Sequence, residues 1–217
     1  LKINAETIKK AILNCNLEEN FAKWTDEELL KFVRELRKLS KPLIIAANKM
    51  DLPESRKNFE KLKREFPLVI PCYAEAELAL REAAKKGLIN YIPGERTFEV
   101  RGTLNEEQKE ALDFVKKILE KEEFGTGVQE CLNKAIFDLL KYFVVYPVEN
   151  ENHFSDSKGN VLPDAFLMPP NSTALDLARE VHSEIAQNFI AAIDARTHKR
   201  LAKDYKLKNG DIVRILV

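Results

Sequence analysis

The sequence predicts an α/β unit followed by a smaller α+β unit. Two short apolar runs alternate with helical periodicity between residues 43 and 87, which is the rhythm of an open parallel α/β sheet. From residue 142 onward the pattern changes to short strands around one helix. The composition is globular, with 45% hydrophobic residues, 7 glycines and 9 prolines in 217 residues. The chain is therefore long enough to bury a core in each unit.

The first 40 residues have a helical pattern. Asn4 can cap a first helix over about residues 5–14, which carries apolar side chains on one face. Thr25–Glu28 form a capping box ahead of a second helix, whose apolar residues recur at helical spacing. Pro42 ends this pattern.

The next segment alternates strand and helix. Leu43–Ala47 is a continuous apolar run, which favours a parallel strand that is buried on both faces. A helix over about residues 54–65 follows. A second buried strand at 68–70 then leads into a helix over 75–86, which Gly87 ends.

Helix-capping residues, glycines and the alternation of apolar residues predict the remaining helices and strands. A capping box at Thr103–Glu106 predicts the start of a helix, and Gly125–Gly127 separate it from a further helix. The α+β unit has predicted strands at 143–146, 165–168, 189–193 and 212–216, and a predicted helix at 174–186. Ser172 or Thr173 can cap that helix, and Asn209–Gly210 predict a tight turn before the last strand.

Charge, apolar runs and cysteine content narrow the class of protein. The 35 Lys+Arg and 35 Asp+Glu give a formal net charge of zero, which argues against a chain that is basic or acidic throughout. The longest apolar runs are far too short to cross a bilayer, so we expect no membrane partner. Three widely spaced cysteines indicate free thiols and a cytoplasmic protein. The three histidines lie far apart without further ligands at suitable spacing, so we expect no metal site in this chain.

The tetrapeptide Asn48-Lys49-Met50-Asp51 directly follows the first predicted strand, where open α/β sheets bind ligands. N-K-x-D is the guanine-reading motif of P-loop GTPases. The Asp51 carboxylate can accept both the ring N1–H and the exocyclic amine of guanine, whereas adenine has no N–H at that ring position. The Lys49 stem can lie along the base, and Asn48 can brace the loop. The alternative is a polar turn in which Asn48 caps, and Asp51 begins, the next helix.

A second candidate loop, Tyr73-Ala74-Glu75, follows the second predicted strand. GTPases carry a base-reading loop of the type S-A-x at this place, whose backbone N–H contacts the guanine carbonyl oxygen. Tyr73 departs from the usual small hydroxyl residue. If the main-chain N–H of Ala74 makes the contact, the change of side chain has little effect on binding. If the hydroxyl normally braces the loop, the affinity differs.

Several motifs together resemble the Obg/YchF-type GTPases of the translation-factor class, in an archaeal-type form. They are Lys41–Asp51, Ala76–Arg81, Gly87–Gly94, Thr126–Gln129 and Val145–Glu149. Gly159–Ala165 and Asn209–Val213 resemble the TGS domain, a small β-grasp module. The resemblance covers the chain from about residue 40 to its end.

The resemblance implies a fold and its division. The expected fold is a partial P-loop GTPase sheet with helical segments, followed by an α+β TGS domain of the β-grasp type. Residues 1–100 would be the C-terminal part of a GTPase domain with a preceding helical segment. Residues 101–141 would be a helical connection that belongs to the GTPase domain, and residues 142–217 would be the TGS domain.

The resemblance also implies a GTP-binding protein associated with translation or the ribosome, with GTP and Mg²⁺ as ligands. The expected nucleotide-binding residues are Asn48, Lys49, Asp51, Tyr73, Ala74 and Glu75. The phosphate-binding pattern G-x-x-x-x-G-K-S/T is missing from the 217 residues, and the first residue is not Met. We therefore expect the chain to be the C-terminal part of a longer GTPase. It would contain no catalytic residue and would not hydrolyse GTP alone, and the residues that hold phosphate and Mg²⁺ would lie upstream.

The last 22 residues carry seven basic and two acidic side chains, a local charge of +5. The candidates for contact with RNA phosphates, on the ribosome or elsewhere, are Arg196, Lys199, Arg200 and Lys203. An ordinary charged surface is the alternative for these residues. A second class of function also stays open, a non-catalytic module that binds RNA or protein through the TGS domain. The sequence does not fix the oligomeric state.

Overall fold

A computed structural model describes residues 3–18 and 20–217. Leu1, the first residue of the sequence, lies outside the described residues. The chain divides into two compact units. We call residues 1–135 the first unit and residues 136–217 the second unit.

The first unit contains helices and short strands in alternation. Its helices are α1 (Ala5–Cys15), α2 (Asp26–Ser40), α3 (Ser55–Glu65), α4 (Ala74–Lys85), α5 (Glu106–Lys121) and α6 (Val128–Asn133). Its strands are β1 (Ile45–Ala47), β2 (Val69–Pro71), β3 (Ile89–Asn90) and β4 (Glu99–Val100). A π-helical stretch, Lys134–Leu139, follows α6.

Local side-chain caps start three helices of this unit, α1, α2 and α5. The Asn4 side chain accepts a hydrogen bond from the Thr7 N–H at 2.8 Å, and Thr25 and Glu28 form the predicted capping box, so both predictions are confirmed. The cap of α5 lies two residues later than predicted. Asn105 rather than Thr103 accepts the N–H bond, because its partner at the third helical position is Gln108.

The parallel pairing of β1 with β2 confirms the predicted alternation of strand and helix, with Ile45 opposite Val69 and Ala47 opposite Pro71. The prediction that the first strand is buried on both faces is wrong. Leu43 is 56% exposed, and Ala46 is also exposed. Ile45 and Ala47 point into the core, whereas the opposite face of β1 has no covering layer among the described residues.

The core of the first unit lies beneath these two strands. Its buried members include Phe59 of α3, Leu80 of α4 and Leu119 of α5. The antiparallel pair β3–β4 was not predicted, since each strand has only two residues and cannot display a periodic pattern. Helices α1 and α2 form a separate small core in which the Trp24 and Phe32 rings lie 4.9 Å apart.

The second unit is a five-stranded sheet with helices on it. Its elements are β5 (Phe143–Val148), β6 (Phe166–Met168), α7 (Ala174–Val181), α8 (Ser183–Gln187), β7 (Ala191–Asp194), β8 (Arg200–Leu201) and β9 (Asp211–Leu216). The strand order is β6-β5-β9-β7-β8, and β5 and β9 run parallel in the middle. Leu177 of α7 packs on Val145 and Val213 of these two strands in a fully buried core. This arrangement confirms the predicted α+β fold of the β-grasp type.

The predicted single helix over 174–186 is interrupted. His182 has an extended backbone conformation, and its ring nitrogen Nδ1 accepts the Glu184 N–H, so His182 ends α7 and caps α8. Thr173 is the cap of α7, within a capping box that it forms with Asp176. The predicted turn at Asn209–Gly210 precedes β9.

Among the residues that the structure describes, no helix is long and apolar enough to cross a membrane. The same residues contain no group of three or more His, Cys, Asp or Glu side chains that could hold a metal ion.

Candidate functional site

The two predicted loops lie side by side at one edge of the β1–β2 sheet. Because the strands are parallel, both chains leave the sheet at the same edge. Two backbone hydrogen bonds join them there. The Cys72 N–H donates to the Ala47 carbonyl at 2.9 Å, and the Met50 N–H donates to the Cys72 carbonyl at 3.3 Å. The structure therefore brings Asn48–Asp51 and Tyr73–Glu75 together.

Asn48 connects the first loop to the start of α4. Its Oδ1 accepts a hydrogen bond from the Ala74 N–H at 3.0 Å. Tyr73, the residue before α4, provides no side-chain cap, so the cap of this helix comes from a residue that is 26 positions earlier in the chain. The Ala74 N–H is thus already paired. The Glu75 N–H, also in the first turn, has no acceptor within the helix.

Lys49 adopts a left-handed backbone conformation, with a φ of 61°. Its carbonyl oxygen accepts from the Ser55 hydroxyl at 2.6 Å and from the Leu52 N–H at 3.1 Å, which fixes the turn into α3. The side chains of Lys49 and Asp51 are exposed. Within the described part of the chain neither forms a hydrogen bond or an ion pair, so both are open to a ligand.

Tyr73 contributes its backbone to the loop and its side chain to the core. The residue is 5% exposed, and its hydroxyl lies 3.5 Å from Nη2 of Arg56. Burial, together with a hydrogen bond to Glu122, raises the pKa of Tyr73 to about 12. Arg56 and Glu122 form an ion pair beside it. This buried ring connects the second loop with α3 and the end of α5, which a small hydroxyl residue could not do.

A third segment, the turn at Thr126–Gly127, also contacts the second loop. The Thr126 carbonyl accepts the Tyr73 N–H at 2.8 Å. Gly127 has a φ of 74°, and a Cβ atom there would overlap the Pro71 carbonyl oxygen at the end of β2. In the sequence, Gly125–Gly127 predict a break between two helices, and Thr126–Gln129 belong to the family resemblance. No signal in the sequence alone placed them against the second loop.

Thr126 also hydrogen-bonds to a buried carboxylate. Glu77 of α4 is 3% exposed and accepts from the Thr126 hydroxyl at 2.6 Å, the Tyr91 hydroxyl at 2.9 Å and the Arg81 Nε at 2.7 Å. Burial raises the pKa of Glu77, but the hydrogen bonds from Thr126, Arg81 and Tyr91 lower it by a larger amount. The pKa of Glu77 therefore lies below its ordinary value. Glu77 therefore stays ionised near neutral pH.

Two free cysteines meet behind the second loop. The Sγ atoms of Cys72 and Cys131 are 3.3 Å apart. Burial raises the pKa of both thiols, so they remain protonated near neutral pH. Cys72 is 3% exposed and packs as a small apolar residue.

The predicted RNA-contacting residues lie apart from these loops in sequence, in the second unit. Arg196, Lys199, Arg200 and Lys203 are all exposed and follow one another along β8 and its flanking turns. Asp194 shapes the first turn by accepting the N–H groups of Arg196 and Thr197. In the described residues none of the four cations forms an ion pair.

Family models match most of the chain. Residues 46–150 match the model described as "Obg-like GTPase YGR210-like, G4 motif-containing domain". Residues 158–217 match the TGS domain. Both of the loops at the sheet edge fall within the first match, and the four exposed cations fall within the second.

Individual relatives agree with these matches. The chain is 52% identical over 220 residues to an uncharacterised GTP-binding protein of Methanocaldococcus jannaschii, MJ1332, with 100% of this chain and 55% of the relative aligned. It is 28% identical over 192 residues to an uncharacterised GTP-binding protein of Schizosaccharomyces pombe, C428.15, covering 83% of this chain and 47% of that one. The chain therefore spans about half the length of these relatives.

A solved structure is also similar. A crystal structure of a GTP binding protein from Pyrococcus horikoshii OT3 matches with a TM-score of 0.69 and 41% sequence identity. The match covers 99% of this chain and 57% of that protein.

Proposed function

The chain belongs to the YGR210-like group of Obg-like GTPases, and from this premise we propose that its Asn48–Asp51 loop recognises the guanine base of a bound nucleotide. The observation that carries the proposal is the Asp51 carboxylate. It is exposed at the sheet edge and forms no bond with another described residue. It lies in the loop that Asn48 ties to the start of α4.

The chemistry of the base fits this arrangement. Guanine presents a ring N1–H and an exocyclic amine side by side, and one carboxylate can accept both. Adenine would leave the carboxylate without its ring N–H donor, which is unfavourable in a closed site. Lys49 would lie along the base with its apolar stem. The N–H groups of Ala74 and Glu75 would face the guanine carbonyl oxygen, with Asn48 sharing or releasing the Ala74 N–H.

The phosphates and Mg²⁺ require residues of another kind. The 217 residues contain no G-x-x-x-x-G-K-S/T loop, and the described part of this chain has no carboxylate cluster that fits Mg²⁺. We therefore assign no metal-dependent step to this chain. GTP hydrolysis, a role in translation and a cytoplasmic location are proposals for the whole protein, in which other residues would hold the phosphates.

Exchanging the base-reading group tests the proposal in the whole protein. Asp51→Asn replaces the carboxylate with an amide, which can donate to the 2-carbonyl of xanthine but not accept two donors from guanine. We expect GDP affinity to fall about 100-fold, in line with a charge-assisted bidentate bond worth about 3 kcal/mol. Affinity for xanthosine diphosphate should rise. Competition against a fluorescent GDP measures both values, with Asp113→Asn on α5 as an exposed control.

Two results would overturn the assignment. One is displacement of the labelled GDP by ATP as readily as by GTP in the unmodified protein. The other is an Asp51→Asn variant that keeps the guanine preference of the unmodified protein.

A second candidate function is binding of RNA through the second unit, on the ribosome or as a free RNA. It is supported by the four exposed cations Arg196, Lys199, Arg200 and Lys203, since exposed Lys and Arg side chains can contact phosphates. Reversing the last three to Glu should weaken RNA binding. It should also reduce the slope of log affinity against log salt by about 1 for each lost phosphate contact.

The control for that experiment changes the same net charge elsewhere. Lys116, Lys117 and Lys121 are exposed on α5 and can be reversed together. Equal losses in both triple variants would mean that net charge, not this surface, determines RNA binding. Unchanged binding in the first variant would remove the candidate function.

A further inference from the structure

The Glu77 carboxylate and the Thr126 turn form a buried polar cluster that the proposed contacts to guanine do not use. Glu77 lies one helical turn after Ala74 in α4, and Thr126 lies 49 residues further along the chain. A buried carboxylate is unfavourable unless hydrogen bonds compensate it. Here three side chains from α4, the segment after β3 and the turn before α6 all donate to it.

Thr126 holds the start of α4 from two sides. Its carbonyl accepts the N–H of Tyr73, the residue immediately before the helix, at 2.8 Å. Its hydroxyl donates to Glu77 at 2.6 Å. Between these two points lie the N–H groups of Ala74 and Glu75, and the Ala74 N–H is bound by Asn48 at 3.0 Å. A shift of Thr126 would therefore move the helix start together with the Asn48 side chain.

Hydrogen bonds fix direction and distance, whereas apolar packing alone would only keep α4 near the sheet. The close approach of Gly127 to the Pro71 carbonyl adds a steric stop on the same side. The helix start is thus held by polar contacts with defined geometry, as required of groups that must meet a ligand atom at hydrogen-bond distance.

We infer that Glu77 and Thr126 are positioning residues for base recognition, which hold the start of α4 so that the N–H groups of Ala74 and Glu75 meet the 6-oxygen of guanine. The inference rests on the proposed function. Neither residue contacts the base, and each acts through Tyr73, Ala74 and Asn48.

The test compares two nucleotides that differ at one atom. 6-Thio-GDP keeps both donors that face Asp51 and replaces the 6-oxygen with sulfur, a weaker acceptor. The measured quantity is the ratio of the dissociation constants for 6-thio-GDP and GDP in the whole protein. A mutation that only loosens the fold weakens both nucleotides equally and leaves this ratio unchanged.

Thr126→Val removes the hydroxyl and keeps the shape of the side chain. We expect GDP affinity to fall about tenfold, as for the loss of a hydrogen bond to a charged group, and the ratio to fall toward one. Thr126→Ser keeps the hydroxyl and should restore the ratio. Glu77→Gln keeps the size but loses the charge, so it should lower the ratio as well and provides a second variant if Thr126→Val does not fold. Thr97→Val, at an exposed position, is the control.

The outcomes separate the two hypotheses. If the unmodified protein prefers GDP to ATP and Thr126→Val or Glu77→Gln keeps the unmodified ratio, the inference is overturned and the proposed function stands. If the unmodified protein does not bind GDP, both are overturned.

Discussion

The first unit and the second unit are held together in different ways. In the second unit a five-stranded sheet surrounds an apolar core that includes Val145, Leu177 and Val213. In the first unit the described sheets have two strands each, and side-chain hydrogen bonds of Asn48 and Thr126 connect the first loop and the turn before α6 to α4. The difference indicates that an apolar core on one continuous sheet stabilises the second unit, while individual polar side chains set the geometry of the loops in the first.

The largest expected effect comes from glycine substitution. Gly127→Ala would place a Cβ atom against the Pro71 carbonyl at a positive φ. Left-handed strain and overpacking together should destabilise the first unit by about 4 kcal/mol. Gly210 in the second unit has a similar positive φ of +83°, but a Cβ atom there would meet nothing within 4 Å. Gly210→Ala should therefore destabilise the second unit by only about 1 kcal/mol. Hydrogen exchange measured by mass spectrometry reports each unit separately, and equal losses would contradict the comparison.

A core truncation should affect the second unit alone. Leu177 is fully buried, so Leu177→Ala should cost about 3 kcal/mol and speed hydrogen exchange in β5 and β9. GDP affinity of the whole protein should stay within about twofold of the unmodified value, because no residue of the proposed site lies in this unit. Leu175→Ala, a half-buried position on the same helix, is the control. A loss of GDP affinity as large as that of Asp51→Asn would break the distinction between the units.

Removing one helix cap in each unit should have a smaller effect on stability and compares the two units directly. Thr173→Ala removes the cap of α7, and Asn48→Ala removes the cap of α4. Each should cost about 1 kcal/mol of stability in its own unit. Asn48→Ala should in addition weaken GDP binding, whereas Thr173→Ala should not, and fluorescent GDP titration with thermal unfolding of both variants measures the two effects. Equal GDP affinity in the two variants would show that Asn48 acts as a cap and nothing more.

The smallest effect in ordinary buffers is a pH dependence. The pKa of Glu77 is lower in the folded protein than its unfolded value of about 4.3. Its contribution to stability is therefore complete above that value and is lost as the pH falls through the folded pKa. The stability of α4, measured by hydrogen exchange of its amides, should fall more steeply as the pH drops below about 4.3 in the unmodified protein than in Glu77→Gln. The exposed Glu107→Gln is the control, and identical slopes would contradict the prediction.

Local patterns predicted much of this molecule, because caps, breakers and alternation act over a few residues. The capping box at Thr25, the βαβ alternation and the placement of Asn48–Asp51 at a strand end are all of this kind. The contact of Thr126 with Glu77 joins residues 49 positions apart, and such a contact leaves no periodic signal. The same reason explains why the burial of Tyr73 could not be predicted from its place in a loop motif.

Two-residue strands and helix interruptions were also beyond prediction. β3, β4 and β8 are too short to show alternation. The break at His182 falls within a continuous apolar pattern, because a histidine can accept the N–H of a following residue without changing that pattern.

The pairing of β5 with β9 has a consequence for synthesis of the chain. β9 is the central strand, between β5 and β7, so these two strands cannot join one sheet until residues 211–216 have been synthesised. During translation the first unit has all its own residues once residue 135 has left the ribosome, whereas the second must wait for about 80 more. Until then β5 can pair only with β6, so its other edge stays unpaired, which makes the nascent protein prone to aggregate in this interval.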